Sequence, residues 1–182
     1  GMVVTNDDDL AERVEQLRNH HQTKSPDEKK HNWGYDVDGL GFNFRMSEFQ
    51  AAMGLCQLEK LGEMTESRQQ VARRYRKAID EIEGLSWYGE HPDKEHAFHL
   101  FVVHVEDEYP LTRNELYEHL STNDIVTGVH YPPIPALTYY DSVEGEYERA
   151  MRLYDRILSL PMFPEMDEST QDRVIEPLRN PV

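Results

Sequence analysis

The chain has 182 residues, enough for one domain with a real core, or a small domain plus an appendage. Its 35 acidic residues against 19 basic ones give a formal charge of -16, and no basic stripe is present to neutralise phosphates, so nucleic acid is excluded as the expected partner. A 10% aromatic content argues against disorder, and no apolar run is long enough to span a bilayer.

Only six bases are lysines: Lys24, Lys29, Lys30, Lys60, Lys77 and Lys94. Many acids with few lysines suit a protein adapted to high salt, and equally an ordinary acidic cytosolic protein. Cys56 is the only cysteine, so no intrachain disulfide can form. With no secretory leader pattern, a cytoplasmic protein is expected.

In chain order, Met2-Val3-Val4-Thr5 is a short β-prone run. Asn6 and three aspartates then start a helix, with negative charge at the positive end of its dipole. Leu10, Val14 and Leu17 carry that helix to about Arg18. From Asn19 to Asp38 the pattern is lost, which predicts a long loop, either functional or disordered. His20, His21 and His31 suggest a metal site, but no Asp, Glu or Cys is spaced to complete one; solvated histidines are the favoured reading.

Gly39 and Gly41 lead into Phe42-Asn43-Phe44-Arg45, and an uncharged run follows. Ser47 is a good N-cap, and Gln50 three residues on completes a capping box. Phe49, Ala51, Ala52, Met53, Leu55, Cys56 and Leu58 make nearly every side of the next helix apolar, which predicts a buried helix from Ser47 to about Leu61. Asn43 and Arg45 would then sit on a loop at its mouth, a common place for functional groups.

A second helix is expected from Thr65 to Glu83, with Val71, Tyr75, Ala78, Ile79 and Ile82 on one stripe and Gly84 as its stop. Period-two patterning follows. Leu85 to Tyr88 is a possible strand, Ala97 to Val105 a firm one, and Asp124 to Val129 another. On the Ala97–Val105 strand His99 and His104 face opposite ways and cannot share a metal; with His91 and His96 they are read as solvent-facing or hydrogen-bonding side chains.

Pro110 and Thr112 open a helix carrying Leu116 and Leu120. His130-Tyr131-Pro132-Pro133-Ile134-Pro135 can be neither helix nor central strand. A helix from Glu144 to Ile157, a brief strand Leu158 to Leu160 and a helix from Asp167 to Leu178 complete the chain. The fold class expected is α/β, with residues 85–182 forming an α+β layer over a small, mainly antiparallel sheet.

Several segments resemble one family in combination: Met2-Val3-Val4-Thr5-Asn6-Asp7, Leu17-Arg18-Asn19-His20, and Gly41-Phe42-Asn43-Phe44-Arg45-Met46-Ser47-Glu48. Gln57-Leu58-Glu59-Lys60-Leu61, His96-Ala97-Phe98-His99-Leu100-Phe101, Val129-His130-Tyr131-Pro132-Pro133 and Leu158-Ser159-Leu160-Pro161-Met162-Phe163-Pro164 continue the series. Together they resemble the pyridoxal-phosphate-dependent sugar aminotransferases of the DegT/StrS family, over essentially the whole chain.

The resemblance implies the C-terminal part of a fold-type I transferase. Residues 1–64 would be the last elements of the large cofactor-binding domain plus an interface helix, and residues 65–182 the small domain. It implies amino transfer from an amino acid, usually glutamate, to a keto-sugar nucleotide, with pyridoxal phosphate as electron sink. In the family the Schiff-base lysine lies in a Ser-x-His-x-x-Lys segment before the Met2–Thr5 run, and none of the six lysines stands in such a motif. The chain by itself is therefore expected to be inactive.

Asn43 matches the family asparagine that reaches across a dimer to the neighbour's cofactor phosphate; a local backbone cap is the alternative. Arg45 would support a phosphate of cofactor or nucleotide, or pair with Glu48 or another acid. His130 and Tyr131 match the segment near the sugar-nucleotide site, or serve as rim and packing. Three accounts stay open: a transaminase fragment, a non-catalytic dimerisation or binding module, and one half of a split enzyme. A homodimer is expected in each, because the Ser47–Leu61 helix needs a cover.

Overall fold

The structure, a computed structural model, describes residues 1–24, 34–89, 91–140 and 145–181. The chain divides into two compact units, Gly1–Glu59 and Lys60–Val182.

In the first unit, helix α1 (Asp8–Arg18) is capped by Asp7, whose side chain accepts from the Leu10 amide. Asp8 and Asp9 in its first turn and Arg18 in its last complement the helix dipole. Strand β1 (Gln22–Lys24) pairs antiparallel with β2 (Tyr35–Val37), in the register Gln22↔Val37, Thr23↔Asp36, Lys24↔Tyr35. The expected unpatterned loop thus carries a hairpin at its ends. Its middle, including Pro26, Asp27, Lys29, Lys30, His31 and Trp33, lies outside the described residues. Met2–Thr5 is no strand: it has no pairing partner, and Val4 is 87% exposed. Among the described residues of this unit none is buried.

The two helices expected over 47–83 are one, α2 (Glu48–Ile79) of 32 residues. Gly62 alone does not interrupt it, since an interior glycine costs about 1 kcal/mol against alanine and no proline intervenes. The Ser47–Gln50 capping box forms, with the Ser47 amide donating to Gln50 Oε1 at 2.9 Å and the Gln50 amide to Ser47 Oγ at 3.4 Å. The expected burial of the first half does not occur within the chain: Phe49 is 74% and Leu55 65% exposed, and Cys56 is exposed too. An all-round apolar helix must be covered, but the pattern cannot say that its own chain covers it.

In the second unit, α2 turns Val71, Ala72, Tyr75, Ala78 and Ile79 into the core, at the helical spacing of one stripe. Strands β3 (Leu85–Trp87), β4 (Phe101–Val105) and β5 (Ile157–Leu160) form an antiparallel sheet in that order. On β4, Phe101, Val103 and Val105 are buried and alternate with half-buried residues, while all four residues of β5 are buried. Helices α3 (Arg113–Thr122) and α5 (Glu168–Arg179) close the core through Leu116 and Leu120, and through Val174, Ile175 and Leu178. The α/β character and the antiparallel sheet with helical cover are as expected.

The helix expected to run to Glu83 and stop at Gly84 ends at Ile79, and further boundaries differ. The strand expected from Ala97 begins only at Phe101, because Phe98 takes a left-handed φ of 45° and the Arg68 guanidinium binds the Phe98 and His99 carbonyls. The strand expected over 124–129 reduces to one bridge, Gly128↔Ser159, since Asp124 turns the chain at φ 60°. The helix expected from Glu144 appears as α4 (Glu148–Tyr154); residues 141–144 lie outside the described residues.

Candidate functional site

The first group of site residues is assembled in unit one by two segments distant in sequence. The Phe42 amide donates to the Leu17 carbonyl at 2.7 Å, the His20 amide to the Phe42 carbonyl at 2.9 Å, and the Phe44 amide to the Arg18 carbonyl at 2.9 Å. Asn19 and Asn43 form an antiparallel bridge at the centre of this ladder. Gly41 makes the approach possible, because a Cβ there would collide with the His20 and His21 backbone. The Phe42 and Phe44 rings stack at 4.9 Å, so both aromatic flanks of Asn43 lie on one side.

Arg45 Nε donates to Asn43 Oδ1 at 3.1 Å, and an Arg45 terminal nitrogen stands 3.4 Å from His20 Nε2. No ion pair with Glu48 is present among the described residues; Arg45 turns back to its own loop instead. His21 Nδ1 meets Asp38 Oδ1 at 2.8 Å. The two adjacent histidines, read from sequence as solvated, thus each hold a defined polar partner. Among the described residues, no group of three or more His, Cys, Asp or Glu is placed to hold a metal ion.

The second group lies in unit two. His130 Nδ1 is 3.0 Å from Ser159 Oγ, and Ser159 is also tied through its backbone to Gly128. A Cβ on Gly128 would come 2.6 Å from the His130 ring, so a side chain there would push the ring out of place. The Tyr131 ring meets the His130 ring edge-on at 4.9 Å and is 70% exposed. His130 is therefore held by β5, while Tyr131 presents its ring and hydroxyl outward. Asn43 with Arg45, and His130 with Tyr131, are two local groups in separate units.

Sequence reasoning missed His20 and Ser159 as partners of these residues. Ser159 stands in a matched segment, but its pairing with His130 spans 29 positions. His20 had a signal in the matched Leu17–His20 segment, though nothing local points its ring at Arg45.

Similarity to known proteins gives the class, that of an aminotransferase family. The chain belongs to the DegT/DnrJ/EryC1/StrS aminotransferase family, whose model matches residues 1–179. The spore coat polysaccharide biosynthesis protein SpsC of Bacillus subtilis is 35% identical, over 99% of this chain and 49% of that protein. The UDP-4-amino-4,6-dideoxy-N-acetyl-beta-L-altrosamine transaminase of Campylobacter jejuni is 30% identical, over 92% of this chain and 44% of that protein. The crystal structure of DesV from S. venezuelae superposes with a TM-score of 0.81 at 31% identity, over 97% of this chain and 45% of that one.

The chain spans about half the length of the curated relatives it matches. The family is pyridoxal-phosphate-dependent. The residues present fit that group in part. With Asn43 Oδ1 engaged by Arg45, the amide is left with its Nδ2 donors, the polarity an anionic phosphate requires. No lysine among the described residues stands in the family's attachment motif. Among the described residues, no helix is long and apolar enough to cross a membrane.

Proposed function

We propose that these 182 residues supply the phosphate-facing loop and the small domain of a cytoplasmic sugar aminotransferase. Residues 1–64 correspond in this reading to the end of the large domain with its interface helix, and 65–182 to the small domain. The reaction is amino transfer from an amino acid, with glutamate the expected donor, to a keto-sugar nucleotide. When bound, pyridoxal phosphate supplies the electron sink for that exchange.

The observation that carries the reading is the fixed polarity of Asn43, whose oxygen is held by Arg45. Asn43 donates to a phosphate oxygen of the cofactor, and Arg45 adds positive charge beside it. His130 and Tyr131 border the sugar-nucleotide side, where Ser159 holds the imidazole and the exposed Tyr131 ring offers a stacking face. None of the six lysines in these 182 residues stands in the family's attachment motif, so by themselves these residues are expected to be inactive. Mixing the chain with pyridoxal phosphate and then an amino donor tests this. No donor-responsive visible absorption is expected, and a band that disappears on adding donor would overturn the reading.

A second reading, a non-catalytic dimerisation or binding module, is favoured by the exposed apolar face of α2, with Phe49 at 74% and Met53 at 53%. In both readings a second copy covers that face as a homodimer. A split enzyme differs only in which gene encodes the lysine, and a neighbouring reading frame carrying the Ser-x-His-x-x-Lys segment would identify it.

A further inference from the structure

An asparagine side chain can present either its oxygen or its nitrogen, and only the nitrogen attracts an anion. The contact from Arg45 Nε to Asn43 Oδ1 selects the nitrogen face, provided Arg45 itself is fixed. A long arginine side chain on an exposed loop loses substantial rotamer freedom when fixed, so something must hold its far end. That far end stands 3.4 Å from His20 Nε2. A guanidinium has no lone pair to offer, so in this contact the imidazole Nε2 is the acceptor, which selects the tautomer with the proton on Nδ1.

The backbone delivers the ring to that place at a cost. His20 and His21 take left-handed φ values of 61° and 55°, and neither is glycine. Two such residues in succession strain the backbone. The His20 amide is bonded to the Phe42 carbonyl, one residue before Asn43, so ring and asparagine are referenced to the same ladder. His21 is drawn to Asp38, while His20 faces Arg45.

We propose that His20 is a positioning residue that sets the donor face of Asn43 by holding Arg45. It touches neither cofactor nor substrate. The inference rests on the reading of Asn43 as a phosphate donor given above.

The test uses the full 182-residue chain labelled with 15N, and inorganic phosphate as probe. Long-range proton–nitrogen spectra of the unliganded chain should show His20 neutral with hydrogen on Nδ1; a proton on Nε2 instead overturns the proposal without any variant. Phosphate should shift the Asn43 side-chain amide pair. His20→Ala should speed exchange of the Arg45 Nε proton and weaken the phosphate response about tenfold, the worth of one charge-assisted hydrogen bond. His20→Gln, which restores an acceptor, should return both signals toward the parent chain, and unchanged backbone amide shifts at Phe42 and Phe44 confirm that the ladder of the first unit is intact in the variants.

If Asn43 responds to phosphate in the parent chain but His20→Ala leaves both signals unchanged, the positioning role alone fails. If phosphate never moves the Asn43 amide in the parent chain, the phosphate reading fails, and the proposal with it.

Discussion

Gly84 lies directly against Tyr109: a Cβ on Gly84 would collide with the Tyr109 amide nitrogen and Cα. Gly84 also takes φ +79°, so it ends the turn after α2 in a conformation that side chains resist. Tyr109 is fixed in turn by its hydroxyl, which donates to the Leu178 carbonyl of α5 at 2.8 Å, and burial pushes that hydroxyl up to about 12. One contact therefore links the start of β3 to the helix that closes the core.

Gly84→Ala should destabilise the chain by more than the about 1–2 kcal/mol of the left-handed conformation, because the clash with backbone adds to it. Denaturant unfolding should show an earlier midpoint with the slope unchanged. A midpoint equal to the parent's would mean that the turn relaxes freely.

The start of α3 predicts a pH signature. Thr112 and Glu115 form a reciprocal capping box, with the Glu115 carboxylate accepting from the Thr112 amide at 2.8 Å and from its hydroxyl at 2.7 Å. These bonds hold the Glu115 carboxyl below its ordinary value. The folded state thus binds this proton less readily than the unfolded one. The contribution is present above the unfolded carboxyl value and is lost as pH falls through the lowered folded value. Thr112→Ala should cost about 1 kcal/mol at neutral pH. The difference from the parent should shrink on acidification; a pH-independent difference would contradict the assignment.

Salt should stabilise this protein. Asp8 and Glu12 on α1, and Glu59, Glu63 and Glu66 on α2, place exposed like charges three or four positions apart, where they repel. With a formal charge of -16 such repulsion is general, and it is screened once the Debye length falls from about 10 Å at 0.1 M to about 3 Å at 1 M salt. Melting temperature should rise by several degrees between low and molar KCl. A sucrose series controls for solute exclusion, and a flat KCl response would argue for an ordinary acidic protein.

Self-association should depend on the apolar side of α2. Leu58 is 49% exposed and follows Phe49, Met53 and Leu55 along the helix. Replacing it with a charge, as in Leu58→Glu, forfeits the about 1.5–3 kcal/mol of a buried leucine and places a carboxylate in an apolar contact. Light scattering should then report monomer at micromolar concentrations where the parent chain is dimeric. A parent chain that is already monomeric there would dismiss the dimer.

The sequence by itself determined what local rules govern. The Ser47 cap, the helix start at Thr112, the Val71–Ile79 stripe and the alternation along β4 are set by spacing within a few residues, and the structure carries each of them. It also contained the residues of the family and the lack of a lysine in the attachment motif. What it did not determine is which distant pieces meet. The ladder joining 17–20 to 42–44 decides that His20 faces Arg45, and the bridge of Gly128 to Ser159 decides that His130 is held by β5. The left-handed turns at His20 and Phe98 accompany such closures, whereas the one at Asp124 belongs to the local end of α3, where the Ile125 amide returns to the Leu120 carbonyl. The α2 helix shows the same division: its pattern demanded a cover, and the structure leaves Phe49, Met53 and Leu55 exposed among the described residues. Hydrophobicity is a property of each residue, whereas burial belongs to whatever surrounds it.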